Sequence, residues 1–302
     1  IQNRAIRHVD VRTFRRDPQR TIRAEQFAAR LQFAIAPETM ALCRTLDLDG
    51  LARERVMGEM EKALTGSRRP SRCFEALREM GQLEPWLKEV AALIGVKQRA
   101  DCHPEGDAWT HTMLVVDEAA KLRDEAKNPT GLMLAALLHD VGKAVAMQEK
   151  DGVIHAYGHE TAGVPLAEEF LRRLTGEKAL CRYVLNMVEL HMKPNLYAAQ
   201  NSGQKAWNRL FDRSACPEDL LLLAKADHRG RINAAPYAET ERTIRARLSA
   251  YEEMMARPHI TGADLLARGI QPGEEMGRLL EEAHRLRLAG VKKEDALRQM
   301  RL

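Results

Sequence analysis

One apolar run that ends in two polar side chains constrains the fold more than any other feature of the sequence. It reads LMLAALLHDVGKAV at residues 132–145, and its apolar residues recur with the spacing of a helix buried in a core. The run then ends in His139 and Asp140, whose burial costs free energy unless a partner replaces their lost hydration. A metal ion is such a partner. The run therefore predicts a buried helix that carries ligands to a metal.

The rest of the chain also predicts helices. Sustained alternation of apolar and polar residues is absent, aromatic residues make up only 5% of the sequence, and segments rich in Ala, Leu, Glu and Arg show helical spacing. With 302 residues, of which 45% are apolar, the chain can bury a sizeable core. We predict an all-α fold.

A polar, turn-rich segment, GVKQRADCHPEGDA at residues 95–108, predicts a domain boundary. We predict a basic helical part that binds RNA, a second part that carries the metal ligands and a helical C-terminal tail. These three parts span residues 1–95, 96–235 and 236–302.

Cysteine usage and hydropathy predict a cytoplasmic protein that does not enter membranes. The five cysteines are scattered without a CxxC pair, which argues against a disulfide framework or a cysteine zinc site and predicts reduced core residues. No apolar stretch approaches the roughly 20 residues that span a bilayer. Ile1 stands where an initiator methionine is expected, so we expect the sequence either to begin inside a longer polypeptide or to follow a processing event.

The first thirty residues are strongly basic. They hold eight arginines and three acidic residues, a net charge of +5. This surplus favours a polyanion such as RNA, although a solvated helix face explains the charge equally well. Within the segment, Asp17 and Pro18 predict the N-cap and first turn of a helix that ends near Phe33.

Several ligand-type residues of the second part follow apolar helical stripes. A single core histidine usually bonds a backbone carbonyl, but the combination of His111, His139, His191 and Asp227 favours a metal site. Three of these four lie near predicted helix C-termini, where the helix dipole favours a cation. His159 opens a helix and can close the other side of the site.

The order of His111, the His139–Asp140 pair and Asp227 resembles the HD phosphohydrolase superfamily, in which these positions bind metal. His159 and His191 resemble the extra histidines of members with a wider or two-metal site. The mixed imidazole and carboxylate set suits Mn²⁺, Fe²⁺, Co²⁺, Ni²⁺ or Zn²⁺ and leaves the choice among them open.

Such a metal can generate hydroxide and polarise a phosphoryl oxygen. Asp140 and Lys143 are therefore the predicted catalytic residues, with Lys143 holding a phosphate oxygen. Arg229 and Arg231 are predicted to bind phosphate as well, although a solvent-facing role is as consistent with the sequence for each of these three cations.

A second resemblance covers nearly the whole chain. The segments IQNRAIRHV, RDPQRTIRAEQFAARLQFAIAPETMAL and ITGADLLARGIQPGEEMGRLLEEA resemble bacterial tRNA nucleotidyltransferases of the CCA-adding and poly(A) polymerase family. In that family, a Glu-Asp-x-x-Arg motif reads the incoming CTP or ATP. The matching residues are Asp17 and Arg20, while Arg16 replaces the Glu.

The resemblance also implies a palm with paired aspartates that bind Mg²⁺ and CTP or ATP, which family sequences reach before the position of Ile1. The only D-x-D motif, Asp47 to Asp49, lies in a segment that we expect to be helical. We therefore expect this chain not to add nucleotides.

We interpret the chain as the neck, body and HD part of a CCA-adding enzyme, which binds the 3′ end and acceptor arm of tRNA and hydrolyses cyclic or terminal phosphoesters. Arg7, Arg12 and Arg15 are the predicted RNA contacts. Two alternatives are a free-standing HD nucleotide phosphohydrolase and a non-catalytic tRNA-binding module with a structural metal. The sequence leaves the oligomeric state open.

Overall fold

The structure is a computed structural model that describes residues 4–84, 86–101 and 103–302, and it confirms the all-α prediction. The helices before the predicted boundary at residues 95–108 are α1 (Val11–Arg16), α2 (Gln19–Leu31), α3 (Pro37–Cys43), α4 (Arg53–Gly66), α5 (Ser71–Met80) and α6 (Lys88–Ala91). Those that follow are α7 (Ala108–Leu122), α8 (Pro129–Leu138), α9 (Lys143–Ala146), α10 (His159–Leu174), α11 (Lys178–Leu190), α12 (Met192–Ala199), α13 (Gln204–Arg213) and α14 (Pro217–Arg229). The last four are α15 (Ala238–Ala256), α16 (Gly262–Leu266), α17 (Glu274–Leu288) and α18 (Lys293–Gln299).

Two short strand pairs accompany the helices. Strands β1 (Ala5–Ile6) and β2 (Ala34–Ile35) pair in parallel, and β3 (Gln148–Lys150) and β4 (Val153–His155) form an antiparallel hairpin. Neither strand pair was predicted from the sequence. Asp151 and Gly152 connect β3 to β4 with φ angles of 54° and 74°, the left-handed conformation that a tight two-residue hairpin turn requires.

The structure divides into two compact units. The first comprises Ile1–Met192 and Glu218–Tyr237, and the second comprises Lys193–Pro217 and Ala238–Leu302. The division of the sequence into three parts stays a prediction.

Helix α8 is the centre of the first unit. Every side chain from Leu132 to Leu138 is fully buried, as expected of a helix that is apolar on all sides. It packs against α4, α7 and α11, and α10 packs on α11. Buried Asp219 fixes the entry to α8, because its carboxylate accepts hydrogen bonds from the backbone N–H groups of Lys127 and Asn128 and from the Tyr183 hydroxyl.

The second unit has its own small core. Ile260, Leu265, Ala283 and Ala296 are buried together where α16, α17 and α18 meet. Thr261 and Asp264 form a reciprocal capping box at the start of α16.

The prediction that Asp17 is an N-cap was wrong. Asp17 ends α1, and Pro18 precedes α2 without a capping side chain. The carboxylate of Asp17 instead forms ion pairs with Arg20 at 3.6 Å and with Arg55 at 3.9 Å. The helix that we expected to reach Phe33 ends at Leu31, because Gln32 adopts a left-handed conformation with φ of 56°.

Three smaller expectations can also be compared with the structure. The D-x-D segment lies in a turn rather than a helix, where the Asp47 carboxylate accepts a hydrogen bond from the Asp49 backbone N–H. The free cysteines Cys43 and Cys73 are buried, whereas Cys181 and Cys216 are only partly buried, and Cys102 lies outside the described residues, as does Ile1. No helix in the described part of the chain is long and apolar enough to cross a membrane.

Candidate metal centre

Five helix ends bring the predicted ligands into one region of the first unit. His139 and His191 follow the last residues of α8 and α11, and Asp227 lies in the last turn of α14. His159 begins α10. His111 lies in the first turn of α7, and all five side chains are buried.

Two glycines allow these helix ends to approach one another. A Cβ atom on Gly142 would lie 2.0 Å from the His159 carbonyl oxygen and 2.5 Å from the Gly163 backbone nitrogen. A Cβ atom on Gly230 would lie 2.5 Å from the Val115 side chain. Any larger residue at either position would push apart the segments that carry the candidate ligands.

The first candidate ligand set consists of His111, His139 and Asp140, whose ligand atoms all lie within 4.8 Å of one another. His139 Nε2 lies 3.1 Å from Asp140 Oδ2, and His111 Nε2 lies 3.7 Å from the same oxygen. Asp227 Oδ1 lies 3.1 Å from His111 Nε2 and 4.0 Å from His139 Nε2, so it adjoins this set.

A second set shares Asp140. Asp140, His159 and His191 also place one ligand atom each within 4.8 Å of the others. Asp140 Oδ1 lies 3.1 Å from His159 Nε2 and 3.8 Å from His191 Nε2. Because each oxygen of Asp140 faces a different histidine pair, this carboxylate would be available to both ligand sets.

The hydrogen bonds of the four histidines direct one ring nitrogen of each toward the site. The Nδ1 atoms of His139, His159 and His191 lie 2.7–2.9 Å from backbone carbonyl oxygens, and His111 Nδ1 lies 2.8 Å from a carboxylate oxygen of Glu105. Since these partners only accept hydrogen bonds, each Nδ1 carries a proton, and the unpartnered Nε2 atoms of His139, His159 and His191 are free to present a lone pair.

The resulting arrangement fits a cation. The Nε2 atoms of His139, His159 and His191 are buried without a hydrogen-bond partner in the described part of the chain, and they face carboxylate oxygens. Lone pairs that face anionic oxygens in a buried site repel one another unless a positive charge lies between them. Imidazole and carboxylate donors together suit a divalent transition metal.

The electrostatics of the site act differently on its donors. Despite burial, neighbouring carboxylates raise the pKa of His111 and of His159, whereas the two aspartates and His191 are held in their ligating forms. Burial raises the pKa of Asp140 and of Asp227, but neighbouring histidines and cations outweigh it and hold both pKa values well below the usual range. Burial lowers the pKa of His191 to about 3, so His191 is neutral at pH 7.

Glu105 is a functional candidate that the sequence analysis missed. Its side chain is fully buried, and its carboxylate accepts hydrogen bonds from His111 Nδ1 and His103 Nδ1, each at 2.8 Å. It also accepts one from the Ile232 backbone N–H at 3.3 Å, just beyond α14. Although burial raises its pKa, these hydrogen bonds lower the pKa to about 2. Glu105 therefore fixes the orientation of His111 and ties it to the segment that follows Asp227.

The structure brings two of the three predicted phosphate-binding cations to the site. Lys143 Nζ lies 2.6 Å from Asp140 Oδ2 and 2.6 Å from Gln98 Oε1. An Arg231 terminal nitrogen lies 3.5 Å from Asp227 Oδ2. Arg229 is exposed at the last residue of α14.

The predicted RNA and nucleotide contacts lie at the N-terminal end of the first unit. Arg7, Arg12 and Arg15 are exposed, and Arg7 pairs with Glu38. Arg20 lies beside Asp17, one helical turn away. The roles of these residues stay predictions.

Comparison with protein families finds two domains. Residues 108–250 match the HD domain, which includes every candidate metal ligand. Residues 32–94 match the family described as a probable RNA and SrmB-binding site of polymerase A.

Comparison with curated proteins finds relatives along almost the entire chain. The chain is 34% identical to the multifunctional CCA protein of Actinobacillus pleuropneumoniae serotype 5b, over 97% of this chain and 71% of that protein. It is 38% identical to the multifunctional CCA protein of Burkholderia cenocepacia strain HI2424, over 96% of this chain and 69% of that protein.

Solved structures share the fold at low sequence identity. A CCA-adding enzyme in complex with ATP aligns with a TM-score of 0.60 at 14% identity, over 99% of this chain and 62% of that one. The Thermotoga maritima CCA-adding enzyme complexed with tRNA aligns with a TM-score of 0.57 at 15% identity, over 99% of this chain and 65% of that one. The chain thus spans less than two thirds of the length of these enzymes.

Proposed function

Since the chain belongs to the multifunctional CCA protein family, we propose that it carries a metal-dependent HD phosphohydrolase that acts on cyclic or terminal phosphoesters at tRNA 3′ ends. One observation carries this proposal. Two sets of buried ligand atoms share Asp140, and the Nε2 atoms of His139, His159 and His191 have no hydrogen-bond partner in the described residues. Ni²⁺, Mn²⁺, Co²⁺, Fe²⁺ and Zn²⁺ all suit these donors.

The residues around the ligands supply the remaining chemistry. A bound divalent ion would act as a Lewis acid and lower the pKa of a coordinated water from ~15.7 toward ~7. Asp140 holds both ligand sets together and carries negative charge into the site. Lys143 Nζ, held by Gln98 and Asp140, offers a fixed positive charge to a phosphoryl oxygen, and Arg231 offers a second one beside Asp227.

An Asp140→Ala variant tests the proposal. The purified chain is loaded with Mn²⁺ or Ni²⁺, and hydrolysis of a 2′,3′-cyclic nucleotide and of a terminal phosphomonoester is measured together with the metal content. Loss of the shared ligand should abolish turnover and reduce bound metal while the helical circular dichroism stays unchanged. Asp124→Ala is a matched control, since that carboxylate is fully exposed outside the site.

Full metal-dependent turnover in Asp140→Ala would place the hydrolytic centre elsewhere. A wild-type chain that binds metal but hydrolyses no phosphoester with any of these ions would favour the RNA-binding module with a structural metal.

The N-terminal helices are the proposed RNA-binding part, with tRNA as the partner. The match over residues 32–94 and the exposed arginines that precede it support this assignment. Phosphate contacts release counterions, so each lost contact lowers the slope of log K against log salt by about 0.9. Replacing Arg7, Arg12 and Arg15 together with alanine should therefore reduce the slope for tRNA binding by about two to three.

The matched control replaces three exposed arginines of the second unit, namely Arg268, Arg285 and Arg298. An unchanged slope in the N-terminal triple variant, with a reduced slope in the control, would move the RNA-binding surface to the second unit.

A further inference from the structure

An aromatic pair lies at the end of β4 and in the turn that precedes α10, with the His155 ring half-buried and the Tyr157 ring exposed. The rings of His155 and Tyr157 stack, with centroids 4.9 Å apart and an angle of 18° between their planes. Tyr157 is 82% exposed, so its ring contributes almost nothing to the core. A stacked pair whose outer ring is open to solvent is the kind of surface on which a planar ligand stacks.

The pair is attached directly to the candidate metal centre. Ala156, between the two rings in sequence, accepts hydrogen bonds at its carbonyl oxygen from His159 Nδ1 at 2.8 Å and from the His159 backbone N–H at 3.3 Å. Tyr157 precedes His159 by two residues, which sets their Cα atoms at most about 7 Å apart. The turn that orients a candidate ligand therefore also positions the aromatic pair.

Further contacts place the hairpin beside Lys143. Glu149 of β3 pairs with Lys97 at 4.0 Å, and Gln98, the next residue, accepts a hydrogen bond from Lys143 Nζ at 2.6 Å. Strand β4 pairs with β3 so that His155 lies opposite Gln148. The pair is thus joined to the site both through His159 and through the segment that contacts Lys143.

Among the candidate metal ligands, His159 has the most exposed side chain. The side chains of Lys143 and His159 are 10% and 7% exposed, whereas those of His111, His139 and His191 are fully buried. A phosphoester that reaches the ligands past Lys143 and His159 would leave the rest of its molecule near the hairpin.

We propose that His155 and Tyr157 form a platform on which the base of the substrate nucleotide stacks while its phosphoester lies at the metal centre. This inference rests on the proposed phosphohydrolase function and adds a binding site for the base of the terminal nucleotide, which makes the base a determinant of substrate affinity. Stacking tolerates every base, because every base has a π face, so the platform suits an RNA end of any sequence.

The test compares two substrates that differ only in the base, namely adenosine 2′,3′-cyclic phosphate and 1-O-methylribose 2,3-cyclic phosphate. In Tyr157→Ala, KM for the adenosine substrate should rise about 5- to 150-fold, the equivalent of the stacking free energy per base, with little change in kcat. KM for the base-free substrate should not change. Tyr157→Trp should retain a low KM. Leu266→Ala, which removes a 49% exposed apolar side chain of α16 in the second unit, is the matched control.

Calorimetric binding of adenosine 3′-monophosphate to the Mn²⁺-loaded protein gives a readout that does not depend on turnover. Weaker binding to Tyr157→Ala, with unchanged metal content, supports the platform even if no substrate is hydrolysed. Equal binding and equal KM in the wild type and Tyr157→Ala would overturn the platform, and hydrolysis of both substrates would then leave the phosphohydrolase function standing. A wild-type protein that neither hydrolyses the substrates nor binds the nucleotide would overturn both.

Discussion

Replacing Gly142 with alanine should disrupt the metal centre without removing any ligand. The added Cβ atom would lie 2.0 Å from the His159 carbonyl oxygen and 2.5 Å from the Gly163 nitrogen, whereas ordinary contacts begin at 3.4 Å. Both obstacles are backbone atoms, so the start of α10 must move away from the turn that carries Asp140 by roughly 1 Å or more. Overpacking of this kind costs about 1–3 kcal/mol of stability.

The displacement acts directly on a ligand distance. His159 Nε2 lies 3.1 Å from Asp140 Oδ1, and both belong to the second ligand set. Because a misplacement of about 1 Å can reduce catalysis roughly 100-fold, Gly142→Ala should lose most phosphohydrolase activity. Its thermal midpoint should fall by about 2–12 °C, given the size of the first unit. Metal content after dialysis, measured by mass spectrometry, should fall as well.

Gly58→Ala provides the matched control. A Cβ atom on Gly58 would meet no atom within 4 Å, and the residue lies inside α4. Alanine is favoured over glycine within a helix by about 0.5–1 kcal/mol, so this variant should be slightly more stable with wild-type metal content. A Gly142→Ala protein with wild-type metal content and turnover would refute the argument that the close approach at Gly142 positions the ligands.

Two further variants test buried carboxylates. Glu105→Gln should weaken metal binding about 10- to 100-fold in a chelator competition assay, because His111 is a weaker metal ligand when its partner is a neutral amide rather than a carboxylate. An unchanged affinity would leave Glu105 with only a structural role. Burial raises the pKa of Glu25, in α2, well above its usual range, so the folded state retains a proton that the unfolded state loses. The free energy of unfolding should then be highest below the unfolded pKa of about 4.3 and fall by up to about 1.4 kcal/mol per unit as pH rises through the folded pKa. Urea unfolding at several pH values should show that Glu25→Gln lacks this decrease, and parallel pH profiles would contradict the assignment.

The central helix and the convergence of the ligands were accessible from sequence because both follow from local patterns. An apolar run without a polar face predicts a helix buried on all sides, as α8 is. When such helices end in ligand-type residues, these residues lie beside the core that the apolar faces of the helices form together. The structure brings His111, His139, Asp140 and Asp227 together in this way, and family membership adds the expectation of metal.

The β3–β4 hairpin could have been predicted but was not. Asp-Gly at residues 151–152 is a strong signal for a two-residue turn. The flanking strands are only three residues long, and all of β3 is exposed, so no apolar alternation marks them. The turn is therefore predictable from the sequence, whereas the two short strands that flank it are not.

The error at Asp17 has a different origin. An aspartate before a proline resembles an N-cap, but the same pair can end one helix and precede the next. Asp10 caps α1 through the Thr13 backbone N–H, and that short helix ends where we expected one to begin. The Asp17 carboxylate pairs with Arg55 of α4 rather than with a backbone N–H at a helix start, and the local sequence around Asp17 cannot predict so distant a partner.

The role of Glu105 follows from a difference among the four histidines. His139, His159 and His191 each bond the carbonyl oxygen three residues earlier, which local chain geometry provides at a helix end or in the turn before a helix. Their orientation is therefore encoded locally. His111 lies inside the first turn of α7, where the preceding carbonyls serve the helix itself, so its Nδ1 needs an acceptor from outside the helix. Glu105 supplies that acceptor, which explains why its carboxylate is fully buried although it lies in a polar loop. Its loss should therefore affect one ligand rather than the whole site.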